Sequence, residues 1–191
     1  MNHTKDVARF IESGDFKPTE SGLLIHGSIL ARGRYTHAVN GQDTRTDHNL
    51  VPAEGIAYLL GCGLGAAPRV SEWYLAVFSG NVSPAANWTA ANFATQASEV
   101  TSTTEGYSNA TRPVWTPGAV TGGVIGNLAA KAVFSIICTT SVNISGAALL
   151  SANTRGGTSG TLISASRFET VRQVYSGDAF ELGYEVELID A

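Results

Sequence analysis

The stretch "FELGYEVELI", residues 180–189, decides how the rest of the chain is read. Phe180, Leu182, Tyr184, Val186 and Leu188 alternate with Glu181, Gly183, Glu185 and Glu187. A period of two sends successive side chains to opposite faces of a strand. The segment therefore reads as a strand with one dry face and one wet face. The dry face predicts burial of all five apolar side chains.

The same period runs through the first third of the chain. Ile25, Gly27, Ile29, Ala31, Gly33, Tyr35, His37 and Val39 share one side, with His26, Ser28, Arg32, Arg34 and Thr36 on the other. Asn40-Gly41 follows, a strong hairpin signal because both residues accept positive φ, and a strand returns over 42–51. Residues 73–78, WYLAVF, are apolar on both faces and predict a central strand. Further strands are predicted at 112–115, 119–124, 133–138, 142–150 and 162–168. Turn residues at 117–118, 139–141, 155–160 and 176–178 separate most of these segments.

Helical signals are few. Pro52 suits a first helical position, and Glu54 suits the positive end of a helix dipole. Ile56, Leu59 and Leu60 then fall on one face, which predicts a short helix packed on a sheet, stopped by Gly61 and Gly63. Residues 80–111 form a long polar excursion with one helical turn near 89–93. Residues 1–22 read as an N-terminal arm with a weak helical repeat at Val7, Phe10 and Ile11. The predicted fold is all-β: an antiparallel β-sandwich, jelly-roll-like, of about eight strands with one short helix, over residues 23–191.

Composition narrows the function. Of the 191 residues, 15 % are charged, against about 25 % in an average globular domain, and the formal net charge is −4. A surface so poor in charge predicts that much of it is covered by other chains; secreted β proteins share the feature. No Lys/Arg cluster marks a nucleic-acid footprint. No apolar run reaches the roughly 18 residues of a membrane span. The opening MNHTKDVARF lacks an apolar signal core and predicts synthesis in a cytoplasm. Cys62 and Cys138 stand far apart in apolar surroundings and read as buried small hydrophobes.

No reacting constellation emerges from the residues. His26 and His37 face opposite sides of one strand, and His48 reaches His37 only in a favourable hairpin register. No further ligand joins them at metal-site spacing. Asp43 with Asp47, or Glu181, Glu185 and Glu187, supply paired carboxylates of the kind glycosidases use, but the glutamates line one face of one strand as a solvated row does. The run RGGTSG at 155–160 has no lysine and no following helix for a phosphate loop. Neither a catalytic residue nor a metal or cofactor is predicted, and the chain is expected not to be an enzyme. The aromatic set stands apart. Trp88 and Phe93 lie in the polar excursion, and Trp115 sits with Arg112 in TRPVWTPG. Either these side chains pin their own loop to the sheet, or Trp88, Phe93, Arg112 and Trp115 anchor a neighbouring chain, as Trp and Arg often do.

Taken in order, "WYLAVFSGN" (73–81), "NWTAANF" (87–93), "TRPVWTPGAV" (111–120), "SGAALLS" (145–151) and the strand after "SGD" (176–178) resemble a group of small structural proteins of tailed bacteriophages. "THAVNGQDTRTDHNLVPAEGIAYLLG" (36–61) resembles the start of that group. The likeness spans residues 35–189 and leaves the arm outside. It implies a virion protein with a jelly-roll fold, of the capsid decoration or cement type, exposed on the capsid surface. Its implied partners are the major capsid protein, other virion proteins and further copies of itself. A tail, collar or fibre component is the alternative within the virion. A carbohydrate-binding β module, with Trp88 and Trp115 stacking on sugar rings, is the alternative outside it.

Overall fold

The computed structural model describes residues 16–19, 22–25 and 29–190. Contacts along the chain define two compact units: residues 1–31 with 188–191, and residues 32–187. Of the first, the described part is a hairpin of β1 (Phe16–Thr19) and β2 (Gly22–Ile25), paired from Phe16↔Ile25 to Thr19↔Gly22. The expected arm boundary after residue 22 thus falls inside a hairpin. The long strand expected from Ile25 begins instead at Ile29. The helical repeat at Val7, Phe10 and Ile11 lies outside the described residues.

The second unit is an antiparallel β-sandwich. Its elements are β3 (Ile29–Val39), β4 (Gln42–His48), α1 (Ala53–Gly63), β5 (Trp73–Phe78), α2 (Ala90–Ala97), β6 (Gly106–Tyr107), β7 (Val114–Trp115), β8 (Val124–Gly126), β9 (Ala132–Ile137), β10 (Val142–Leu150), β11 (Leu162–Val174) and β12 (Ala179–Asp190). One sheet has the order β11-β10-β5-β7; the other runs β4-β3-β12-β9-β6, with β8 also paired to β12. Of the short strands, β7 falls within the segment expected at 112–115, β8 begins where the one expected at 119–124 ends, and β6 falls in the polar excursion where no strand is predicted. Asn40 and Gly41 both take positive φ, 52° and 71°, and close the β3–β4 hairpin as their residue types require.

Strand β5 shows why the sheets stack as they do. Leu75 and Val77 point into the core between the sheets, with Tyr35, Phe134, Ile144, Phe168, Phe180 and Leu182. Ala76 and Phe78 point the other way, into a second cluster with Trp88, Phe93, Leu150, Leu162 and Ala165. The four-stranded sheet is therefore dry on both faces, which a strand without alternation requires. Gly146 on β10 permits the second cluster: a Cβ there would lie 2.1 Å from the Phe78 ring and 2.3 Å from the Ser166 carbonyl oxygen.

Three expectations need correction. Phe180, Leu182 and Tyr184 of β12 are buried, but Val186 is only half-buried and Leu188 is 55 % exposed. The dry face ends where β12 changes neighbours, from β9 at 179–182 to the short β8 at 185–187. The helical turn near residue 89 grows into the eight residues of α2, because Asn92 Oδ1 accepts the Thr89 backbone N–H at 2.8 Å and closes its first turn. The cysteines are free thiols, each half-buried, not buried.

Candidate interface

The polar excursion answers the question its rings pose. Residues 80–100 fold back over the outer face of the four-stranded sheet, and α2 lies there. Phe93 is fully buried and Trp88 nearly so. Phe78, Trp88 and Phe93 meet edge to face in pairs, with centroids 6.0 to 6.2 Å apart, a favoured aromatic geometry. Trp115 is buried in the inter-sheet core, where its indole N–H donates to the Tyr184 carbonyl at 2.9 Å. Trp88 and Phe93 are enclosed within the chain, whereas Trp115, although largely buried, reaches the wall of the groove beside α1. Burial within the chain accounts for Trp88 and Phe93, and Trp88 lies in the cluster under α2 while Trp115 belongs to the inter-sheet core, so the two do not form one sugar-stacking platform.

Arg112 is fully buried as well. Its Nε and Nη2 donate to Glu99 Oε1 and Oε2, both at 2.7 Å, and its Nη1 donates to the Ala152 carbonyl at 2.8 Å. Glu99 Oε2 also accepts the Gly156 N–H at 2.9 Å. The glycine-rich loop weighed above as a phosphate cradle thus gives one of its amides to a carboxylate of the same chain. Glu99 escaped the sequence reading because a lone glutamate in a polar stretch carries no signal. Arg155 of the same loop stands over the Tyr107 ring, 4.3 Å from its centroid, and donates to the Tyr107 carbonyl. Burial holds the Tyr107 hydroxyl well above the ordinary tyrosine pKa.

The titratable residues of the β3–β4 hairpin form pairs of their own. The register sets His37 opposite Arg45 and Arg34 opposite His48, so the two histidines do not meet. His37 Nε2 instead lies 2.9 Å from Asp47 Oδ2, and its ring stacks on Phe168 at 3.9 Å. Its Nδ1 is buried without a partner, and burial pushes the imidazole pKa down. Asp43 bonds Arg45 and Arg172, and hydrogen bonding from Arg45 lowers its pKa. Glu185 pairs with Arg34. Among the described residues, no three His, Cys, Asp or Glu side chains come together as metal ligands would.

The surface feature that remains is α1. The expectation was a helix packed through Ile56, Leu59 and Leu60. Those residues are 50 %, 47 % and 57 % exposed, and Leu64 just beyond the helix is 88 % exposed. The helix seats through Gly55 instead, where a Cβ would come 2.5 Å from the Ile163 carbonyl oxygen of β11. Glu54 anchors its start: Oε2 accepts the N–H of Ala90 at 2.8 Å and of Leu162 at 2.6 Å, tying α1 to α2 and β11. With Glu54 so engaged, residues 55–68, GIAYLLGCGLGAAP, carry no charge. Beside them lies a groove of about 430 Å³. Tyr58, Cys62, Trp73, Val114 and Pro117 line it, with Arg69 and Glu72 among its polar residues. Tyr58 and Trp73 meet edge-on at 5.2 Å, and the Tyr58 hydroxyl accepts the Val70 N–H at 2.8 Å.

No protein-family model matches this chain, and a search of curated proteins returns no match.

Proposed function

We propose that the chain is a virion structural protein, a capsid decoration or cement protein that binds the assembled head shell of a tailed bacteriophage. One observation carries the reading: the uncharged apolar face of Ile56, Leu59, Leu60 and Leu64, left exposed while Trp88, Phe93 and Trp115 pack into the cores. Contiguous apolar surface of this kind marks a protein completed by another protein surface. The low charged fraction and the resemblance to phage structural proteins support the same reading.

The mechanism is linkage. A protein that binds the closed shell better than free subunits stabilises the shell by mass action. Repetition over a lattice multiplies modest contacts through avidity. The test is to purify the particles and locate the chain on them by mass spectrometry and electron microscopy. Density on the head exterior, and heads that resist heat less well when the chain is missing, are the expected results. Density confined to the tail would move the chain to the alternative virion role, and absence from the particle would remove the reading.

A further inference from the structure

We propose that His37 is an acid-sensitive pin for a bulge in β11, residues 168–171: a proton taken up at its Nδ1 releases the bulge and Phe168 from the edge of the sandwich while the rest of the fold stays closed. This device does not depend on the virion reading.

The bulge is where β11 leaves its own sheet. The strand pairs with β10 at Ile144↔Arg172 and again at Gly146↔Arg167, so one residue of β10, Ser145, faces the four residues 168–171. Backbone freed in this way needs partners from elsewhere. Asp47 supplies one from β4, across the edge of the sandwich: its Oδ1 accepts the Glu169 N–H at 2.6 Å. Phe168 is the second anchor, fully buried, with its ring stacked on His37 at 3.9 Å. Glu169, Thr170 and Val171 are exposed. His37 touches both anchors, since its Nε2 lies 2.9 Å from the other Asp47 oxygen, Oδ2.

A carboxylate only accepts, so Nε2 carries the ring proton and donates it to Asp47. A second proton can then enter only at Nδ1. That atom is buried without a hydrogen-bond partner, on a ring packed against Phe168 and Phe180. A donor created there meets neither an acceptor nor water, which is costly. Moving Phe168 aside lets water reach Nδ1, and the segment that carries Phe168 has no ladder to β10 to break. The charges around the ring are Asp47 and Arg45 of β4 and Arg172 of β11, while β12 brings the uncharged Phe180. Both arginines disfavour the cation, and they share Asp43 as their counter-ion. Asp47 favours the cation, but burial outweighs it and holds the ring neutral.

Amide hydrogen exchange, followed by NMR at about pH 7.5 and 5.5 and corrected for the intrinsic effect of pH, tests the device. If the released ring titrates near 6.5, one pH unit below that value raises the open population by up to about tenfold. Amides 168–171 are expected to show a rise of that order, and amides 75–78 of β5 none. His37→Gln cannot take up the proton and is expected to abolish the rise. Should that variant fail to fold, the His37 ring signals of the wild type decide: their titration is expected to share the midpoint of the opening. Flat exchange at 168–171 in the wild type overturns the inference. So does an equal rise in β5, which would mean global unfolding, a rise retained in folded His37→Gln, or an opening midpoint apart from the His37 titration.

Discussion

Arg112 and Glu99 show what a buried pair costs when it is broken. Both side chains are fully buried, and the guanidinium meets the carboxylate with two parallel bonds. Arg112→Met leaves the Glu99 carboxylate in the interior without its cation and is expected to lower unfolding free energy by about 3–5 kcal/mol. Adding Glu99→Leu removes the stranded charge, so the double variant is expected to recover part of that loss in urea titrations. An equal or larger loss in the double variant would mean that the Gly156 and Ala152 contacts matter more than the charge. His37 makes a second prediction, on pH. Its folded pKa lies below its unfolded value of about 6.5 because burial penalises the cation. In the window between the two values the unfolded chain binds more protons, so stability falls as pH drops below about 6.5. Asp47, Arg45 and Arg172 are the charged groups around the ring, and Asp47 opposes the shift. His37→Gln is expected to flatten melting temperature between pH 7.5 and 5.5; an unchanged slope would place the acid sensitivity elsewhere.

Elements here are held by single close approaches as much as by broad faces. Gly55 is the seat of α1, with the β11 backbone at the distance of an absent methyl. Gly55→Ala must push the helix off β11 or distort both, and overpacking of this kind costs about 1–3 kcal/mol. Thermal unfolding of Gly55→Ala is expected to show that loss, although alanine favours helix over glycine by about 1 kcal/mol. A stabilised variant would show that α1 does not rest on β11 as described. Strand β12 gives the complementary case, since its five apolar side chains look equivalent in the sequence. Leu182→Ala opens a cavity in the inter-sheet core and is expected to cost about 2–5 kcal/mol. Leu188→Ala, at an exposed position, is expected to fall within about 0.5 kcal/mol of wild type. Equal losses in urea titrations would return Leu188 to a buried face.

At the scale of the whole molecule, two cores take up most of the described apolar side chains, and the α1 leucines are among those left exposed. The inter-sheet core and the cluster under α2 take up Trp88, Phe93 and Trp115, while α1 keeps its leucines outside. An interface built on the uncharged stretch 55–68 follows the thermodynamics of apolar burial, not of ion pairs. Attachment to particles through that face is therefore expected to change little between about 0.05 and 0.5 M sodium chloride, although screening shortens the Debye length severalfold over that range. It is expected to weaken on cooling, as apolar burial does. Retention on purified particles over that grid checks both, and release by salt would point to Arg69 and Glu72 at the groove in place of the apolar face.

The strands, their alternation and the Asn40-Gly41 turn were legible in the chain because they rest on local chemistry: a period of two, and residue types that accept positive φ. The central place of β5 was legible for the same reason, since a strand apolar on both sides needs cover on both. The destination of the long excursion was not legible. Trp88 and Phe93 read equally well as anchors for a neighbour or as pins for their own loop, and only the packing of α2 on the outer face of the sheet decided between them. The pairing of Arg112 with Glu99 joins positions 13 residues apart through a fold that brings both to the loop at 151–160, a proximity no spacing rule encodes. The orientation of α1 was decided last. Its amphipathic pattern marks an apolar face, but a pattern cannot say what that face meets. The tight seat of Gly55 on β11 turned Ile56, Leu59 and Leu60 outward, because a helix sits where its backbone can approach most closely, and that depends on the shape of the surface beneath it.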